Sequence, residues 1–214
     1  QGSFVADINH ENQIYMRVVR SDVAYGKINY INTELARKVE GVLDIWRASD
    51  FDQIPKIKFR MMGRNELENY LQPILAHKIV RYVGEPIVVI FATKNHIADQ
   101  AADLLDINIQ TMKPQISATE SPLVFSGDLN NEACIVTKKY GDVDKVINTT
   151  PNILELEFYV GRHSGVPLET RGLSTSLNIE GNVIFLHGAA KVPHANKNIL
   201  CEMLNIESNE LELI

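Results

Sequence analysis

LAHKIVRYVGEPIVVIFATKNHIADQAADLLDINIQ, residues 75–110, is the stretch that decides the fold. It predicts an extended segment, a Gly-Glu-Pro turn, a strand, a helix and a further strand. Residues 87–91 are all apolar, which is typical of a strand covered on both faces. Thr93 suits the N-cap of a helix over 94–105, where apolar side chains recur on one face. Residues 106–110 then predict a second strand.

A strand that leads into a helix often holds a phosphate, and such a site needs glycines at the junction. The connecting residues FATKNHIAD, 91–99, contain none, and Gly84 lies before the strand, where it serves a turn. No GxGxxG or GxxxxGK[ST] motif occurs in the chain. The unit is therefore predicted to be scaffold that holds no ligand of its own.

The elements on either side are predicted from the same kinds of pattern. Before the opening stretch we expect strands over 13–21, 25–32 and 42–49, and a short helix over 32–42 that ends at Gly41.

Downstream, residues 111–133 are rich in Pro, Ser, Asn and Thr, which is typical of a linker. ILELEFYV, 153–160, alternates cleanly and predicts a half-buried antiparallel strand. The stretches 173–179 and 183–189 predict a hairpin. Residues 193–204 predict a helix with a proline in its first turn. The side chains expected to be buried by that helix are Ile199, Leu200, Met203 and Leu204. The last residues, ELELI, predict the start of another strand.

The composition excludes several classes of protein. The chain has 214 residues, 45% of them hydrophobic and 22% charged, which suits one large or two small soluble domains. No apolar run approaches the roughly 18 residues of a membrane span, and the polar start lacks the features of a signal peptide, so we expect a cytoplasmic protein. The net charge of −6 includes no basic stripe, which argues against nucleic acid as a partner.

Catalytic and metal-binding motifs are also absent from the sequence. Cys134 and Cys201 form no CxxC pair, so a disulfide framework, a zinc site and an iron–sulfur cluster held by this chain are not expected. The six histidines include no HExxH, and the serines include no GxSxG. Glu155 and Glu157 share the polar face of a predicted strand and are expected to face water. We therefore predict no catalytic residue and no metal ligand from these patterns.

A family resemblance is carried by several stretches in order. They are GSFVADI, RSDVAYGKI, ELARKVEGVLDIWRASD, the opening stretch with its preceding Gln-Pro-Ile, KKYGDVDKVI, VPLETRG and KVPHANKNILCEMLNIESNELELI. Together they resemble the N-terminal part of the large subunit of molybdenum hydroxylases, the family of xanthine dehydrogenase, aldehyde oxidase and aerobic carbon monoxide dehydrogenase. Each stretch alone is weak, but the series covers nearly the whole chain.

The resemblance implies an α+β fold in two parts. Residues 1–120 would form an α/β hammerhead domain, 121–131 a linker, and 132–214 the N-terminal part of a molybdopterin-binding domain. It also implies an oxidoreductase with a molybdopterin cofactor that hydroxylates a small-molecule substrate. Electrons would pass through [2Fe–2S] clusters to FAD, usually on partner subunits.

The sequence departs from the family pattern in two respects. The glycine-rich GGFG-type loop and the later catalytic glutamate are not found in the chain, so we expect it to be inactive when isolated. The family also has TQxPH before the last helix, with a glutamine beside the molybdenum. Here AKVPH places Lys191 at that position. Lys191 would either contact the cofactor or the substrate as a cation, or simply reach solvent.

Two functions remain open from the sequence. The chain would be a scaffolding segment of a molybdenum hydroxylase large subunit, completed by the remaining molybdopterin-binding half and by FAD and iron–sulfur subunits. This scaffolding hypothesis predicts an exposed apolar surface and an unpaired ELELI strand. Alternatively, it would be a stand-alone, non-catalytic binding or assembly module derived from that family, and Lys191 favours this second function.

Overall fold

A computed structural model of the protein describes residues 4–59, 65–117, 119–161, 163–188 and 190–214. Residues 1–3 and 60–64 of the predicted hammerhead span, Ala118 of the predicted linker and Ala189 of the predicted hairpin lie outside the described residues. The described strands are β1 (Tyr15–Arg20), β2 (Gly26–Asn32), β3 (Val42–Trp46), β4 (Ile79–Val80), β5 (Pro86–Ala92), β6 (Asp106–Thr111), β7 (Val124–Ser126), β8 (Leu129–Asn130), β9 (Ser174–Asn178), β10 (Val183–His187) and β11 (Leu211–Leu213). The α-helices are α1 (Asn95–Asp103), α2 (Val143–Thr149) and α3 (Pro193–Leu204). Short 3-10 helices lie at Val5–Asp7, Ala36–Lys38, Ala48–Phe51, Asn65–Tyr70 and Ser208–Glu210.

Strand β5 is the centre of the first sheet, as its continuous apolar run predicts. The sheet order is β1-β5-β3, and both neighbours pair with β5 in the antiparallel sense. Ile87, Val88 and Ile90 are at most 1% exposed, so both faces of the strand are covered. The apolar run is confirmed as the interior strand around which this part of the chain packs.

The helix and strand that follow β5 leave that sheet. Strand β6 pairs antiparallel with β2 in a second sheet of order β4-β2-β6. The strand–helix–strand unit is therefore not a parallel crossover within one sheet. The predicted N-cap was wrong by one residue, because Lys94 with extended backbone precedes α1 and no side chain caps the helix. The backbone N–H of Thr93 instead donates to the Gly41 carbonyl at 2.9 Å.

The helix predicted over 32–42 is reduced to the single 3-10 turn Ala36–Lys38. Gly41 ends this region with φ +91°, as predicted. The buried core cluster draws its side chains from both N-terminal sheets and from α1. Its members are Ala36, Ile45, Ala76, Val80, Ile87, Val88, Ile90, Ala92, Ala98 and Ala101.

The C-terminal sheet has the order β11-β10-β9. The predicted hairpin is confirmed as β9 and β10. The expectation that ELELI would be unpaired is wrong, because β11 pairs parallel with β10 after the chain returns through α3. Helix α3 begins at Pro193 as predicted. Leu204, however, is 47% exposed, because it is the last helical residue before Asn205, which adopts the left-handed conformation with φ 53°.

The prediction of a paired strand over 153–160 is wrong for the described residues. These residues have no strand partner among the described residues, and every one of them is exposed. Leu154 and Phe158, which the alternation assigns to a buried face, are each 82% exposed. The side-chain pattern of a strand is present here, but no other described segment supplies the hydrogen-bonding partner that a strand requires.

The segment predicted as a linker contains ordered structure. Strands β7 and β8 form a small hairpin, with Gly127 in the turn at φ 56°. The Gln115 side chain accepts hydrogen bonds from the Leu123 backbone N–H at 2.9 Å and from the Asn131 amide at 2.5 Å. These contacts tie the hairpin to the chain that leaves β6.

Candidate functional site

Lys191 lies four residues after β10 ends and two before α3 begins. Its side chain is exposed and makes no hydrogen bond or ion pair with any other described residue. His194, the second residue of α3, is exposed in the same way. The structure therefore places the ammonium group of Lys191 just before the N-terminal end of α3, with no hydrogen-bond or ion-pair partner among the described residues.

This position is chemically suited to an anion. The first turn of a helix leaves backbone N–H groups without intrahelical partners, and the helix dipole favours negative charge there. A lysine at the same end adds a full positive charge on a flexible stem. These donors suit an anionic group, and binding of a cofactor by Lys191 stays a prediction. The part of the chain that the structure describes holds no cluster of three or more His, Cys, Asp or Glu side chains placed to bind a metal ion directly.

The N-terminal segment contacts the C-terminal half of the chain near the same sheet. The Val5 backbone N–H donates to the Glu169 carboxylate at 3.0 Å, and Glu169 belongs to the VPLETRG stretch. The rings of His10 and His187 lie 6.5 Å apart between centroids. Sequence reasoning missed these contacts, because no local pattern links residues more than 160 positions apart.

A second connection joins the region before β4 to α3. Lys58 forms an ion pair with Glu202 of α3, and both side chains are partly exposed. Because Glu202 lies in the last turn of α3, this ion pair joins the far end of that helix to the N-terminal half of the chain.

A cavity of about 950 Å³ opens between the N-terminal sheets and the β7–β8 hairpin. We call it the aromatic groove, because ring side chains form much of its wall. These side chains are Tyr25, Phe51, Tyr70, Tyr82 and Phe125. The rings of Tyr70 and Phe125 meet edge to face at 5.9 Å, and Gln72 donates to the Tyr82 hydroxyl at 2.6 Å. No local pattern predicts this groove, since its residues are scattered along the chain and follow no period.

Cations outnumber acids around the aromatic groove. Lys56, Lys78 and Arg81 contribute to its lining, with Asp52 as the one carboxylate among the lining residues. The Arg81 guanidinium is already bound to Glu85, so the two lysines and Asp52 leave one net positive charge among the lining residues. The groove is therefore suited to a largely apolar ligand or segment that is neutral or negatively charged.

Two titrating groups with shifted pKa values lie outside the aromatic groove. Asp106 accepts a hydrogen bond from the Tyr30 hydroxyl at 3.2 Å, and this contact raises the pKa of Tyr30. The hydrogen bond from Arg37 to Asp44 lowers the pKa of that carboxyl, with a further contribution from Trp46. Tyr30 therefore remains protonated and Asp44 ionised at neutral pH, which gives neither group the character of a general base.

Glu155 and Glu157 face solvent, as predicted, although they do so on a segment without strand pairing. His96 and His163, two of the six histidines, are exposed. No described helix is long and apolar enough to cross a membrane. The features that remain are the exposed cation before α3 and the aromatic groove.

Comparison with known proteins gives a family. The model for the aldehyde oxidase and xanthine dehydrogenase a/b hammerhead domain matches residues 1–113, and that for the molybdopterin cofactor-binding domain matches residues 126–214. The gamma subunit of the 6-hydroxypseudooxynicotine dehydrogenase complex of Paenarthrobacter nicotinovorans is 29% identical, over 95% of this chain and 26% of its own length. The nicotine 6-hydroxylase large subunit of the same organism is 27% identical, over 100% of this chain and 27% of its own.

The fold agrees with solved structures. The aldehyde oxidoreductase from Desulfovibrio desulfuricans matches with a TM-score of 0.84 at 19% identity, over 99% of this chain and 24% of that chain. The chain thus spans about a quarter of the length of each of these relatives. Since the hammerhead match alone covers more than half of the 214 residues, the chain belongs to the aldehyde oxidase and xanthine dehydrogenase family of molybdenum hydroxylases.

Proposed function

We propose that this chain is the scaffolding N-terminal part of a molybdenum hydroxylase large subunit. The observation that carries the proposal is the order of the two family matches, a hammerhead domain over 1–113 followed by a molybdopterin-binding domain over 126–214. In this proposal the chain positions the molybdenum site, and the remaining molybdopterin-binding half completes it. The domain limits 1–120 and 132–214, with 121–131 as a linker, are part of the proposal.

The proposed activity is the hydroxylation of a small molecule by the assembled enzyme. Molybdopterin, when bound, supplies the redox metal centre for that chemistry. This chain contributes positioning groups and walls. The aromatic groove suits the substrate route, because an apolar surface with ring side chains admits a small organic molecule without binding it through charge. One relative is by its name a subunit of a dehydrogenase complex, which supports partner subunits here. In this proposal those subunits carry FAD and [2Fe–2S] clusters.

Lys191 is the proposed cofactor-binding residue. Its exposed ammonium at the N-terminal end of α3 would pair with the phosphate of the cofactor or with an anionic substrate. The second candidate function is a binding or assembly module without catalysis. Lys191 also favours that candidate, because it replaces a neutral amide donor with a cation that no other described residue contacts.

The experiment is to purify the chain together with its native partner polypeptides and to measure molybdenum and pterin per chain. We expect about one of each in the assembly and none in the isolated 214-residue chain. A stable native assembly, or a stable native monomer, that contains neither molybdenum nor pterin would support the binding module instead.

Variants at the lysine test its role in the same assembly. Lys191→Ala is expected to reduce the molybdenum and pterin retained after dialysis by several-fold, and Lys191→Gln to retain more than Lys191→Ala because an amide can still donate. Lys145→Ala on α2 is the control, since that lysine is also exposed beside a helix start. Equal retention of molybdenum and pterin in all three variants would show that Lys191 does not bind the cofactor.

A further inference from the structure

The segment 153–160, ILELEFYV, exposes a row of apolar side chains that has no role in the proposed function. Leu154, Phe158 and Val160 are each 82% exposed, and Leu156 is 60% exposed. The backbone groups of this segment make no hydrogen bond to any other described residue. An apolar surface of this kind on a soluble protein marks an interaction site.

The side-chain pattern of 153–160 indicates which kind of partner this segment can bind. Leu154, Leu156, Phe158 and Val160 fall on one face of an extended chain, while Glu155 and Glu157 fall on the other. A segment with one apolar face and unpaired backbone groups is stabilised by joining a sheet as a further strand. A flat apolar contact alone would leave the backbone N–H and C=O groups unpaired at the edge of a buried surface.

A second copy of this chain is a poor partner for the segment. In an antiparallel pair of identical segments, the apolar faces coincide only when residues of the same face stand opposite each other. Two registers of this kind give the longest overlap. One places Glu155 of each copy opposite Glu157 of the other, and the second places the Glu157 residues of the two copies opposite each other. Like charges directly opposite each other are destabilising, so the charge pattern disfavours self-pairing.

The remaining molybdopterin-binding half is the partner that the chain lengths favour. The segment lies inside the molybdopterin-binding match over 126–214, and about three quarters of the length of each relative lies outside the aligned region. A strand of that half with Lys or Arg opposite the two glutamates and apolar residues on its other face would match the segment.

We propose that 153–160 is a docking strand, which pairs edge to edge with a β-strand of the remaining molybdopterin-binding half. This inference rests on the proposed function, since it takes that half as the partner. Docking gives the segment the partner that its alternation requires. It also places the start of the molybdopterin-binding region against the polypeptide that completes the molybdenum site.

The test is hydrogen–deuterium exchange by mass spectrometry on the isolated chain and on the native assembly. We expect the amides of 153–160 to exchange without protection in the isolated chain and at least ~100-fold more slowly in the assembly. Residues 87–91 of β5 are the internal reference and should be protected in both samples. Rapid exchange of 153–160 in the assembly would overturn the docking strand. So would protection already present in the isolated chain, where a doubled mass would identify self-pairing.

Two neighbouring substitutions separate the faces of the segment. Phe158→Lys places a charge on the apolar face and is expected to lower the yield of assembly about 10-fold. Tyr159→Lys, on the glutamate face and 94% exposed, is expected to leave the yield within about twofold of the unchanged chain. Both variants should keep the melting temperature of the isolated chain, because neither side chain is packed there. Equal yields for the two variants would contradict the proposal.

Molybdenum measured on the same assembly separates the inference from the proposed function. Molybdenum present with 153–160 still unprotected refutes the docking strand and leaves the function standing. A native sample with neither a complementing polypeptide nor molybdenum refutes both.

Discussion

Arg81→Met gives the sharpest test of how the turn before β5 is held. Glu85 lies in this turn, and its side chain is 1% exposed. The Arg81 side chain is 38% exposed and donates through Nε to Glu85 Oε1 at 2.9 Å. The Arg81 backbone N–H donates to Oε2 at 2.5 Å. Methionine keeps the apolar stem of the arginine but removes its charge and its side-chain donors.

The magnitude follows from the burial of the carboxylate. Removing one partner of a buried ion pair costs about 3–5 kcal/mol, because the other charge remains buried without compensation. Water can reach the arginine side of this pair, so we take the lower end, a loss of about 3 kcal/mol in the free energy of unfolding. For a protein of this size, that loss lowers Tm by roughly 6–12 °C.

The assay is thermal and urea unfolding of the isolated chain, followed by circular dichroism. Arg17→Met is the matched control, because the Arg17–Asp99 pair has both side chains about half exposed. It should cost less than about 0.5 kcal/mol. Adding Glu85→Gln to Arg81→Met should recover about 1–2 kcal/mol, since a neutral amide is less costly to bury than a carboxylate. Equal losses for the two arginine variants, or no recovery with glutamine, would refute the reasoning.

Three further predictions concern the N-terminal sheets. Ile90→Ala should cost about 3–4 kcal/mol in urea unfolding, because this side chain is fully buried in the central strand, and a loss below about 1 kcal/mol would contradict the packing described. Gly41→Ala should cost more than Gly84→Ala in the same assay, about 2–3 against about 1 kcal/mol. Both glycines have φ +91°, but a methyl group at Gly41 would meet an isoleucine carbon of α1 at 2.7 Å, whereas nothing lies within 4 Å at Gly84. Asp44→Asn should remove roughly 0.5 kcal/mol at pH 7 and less than that at pH 2. Arg37 lowers the pKa of the native carboxyl, so its stabilisation is present above the unfolded pKa of about 4 and is lost as the pH falls through the folded value. Unfolding measured at both pH values checks this, and an equal loss at each would contradict it.

The sequence predicted the N-terminal half well because its elements bury their apolar faces against one another. The apolar run at 87–91 became the central strand β5, and the periodic side chains after it became α1. The predictions failed where a feature depended on distant residues. No local rule shows that the Thr93 N–H is taken up by Gly41, or that aromatic side chains from 25 to 125 meet in one groove.

The C-terminal half was predicted less well, for a different physical reason. The alternation in ILELEFYV indicates an apolar face that packs against another segment. It does not show whether that segment belongs to the same 214 residues. ELELI was expected to lack a partner, yet α3 returns the chain so that Leu211 aligns with Ile184 of β10. Both errors concern which strand pairs with which, and strand pairing is decided by topology rather than by the pattern of a single strand.

The two matched regions differ in how many apolar side chains each buries. The core cluster and the apolar side chains packed against it all fall between residues 19 and 109. In the described part of 126–214, the buried hydrophobic residues are Cys201 and Leu211. The hammerhead region therefore has most of the buried core, while the molybdopterin-binding region contacts it through pairs such as Val5–Glu169 and Lys58–Glu202. A region with so small a core is stabilised when a further polypeptide covers its apolar surface, and the proposed docking strand 153–160 carries four such exposed side chains on one face.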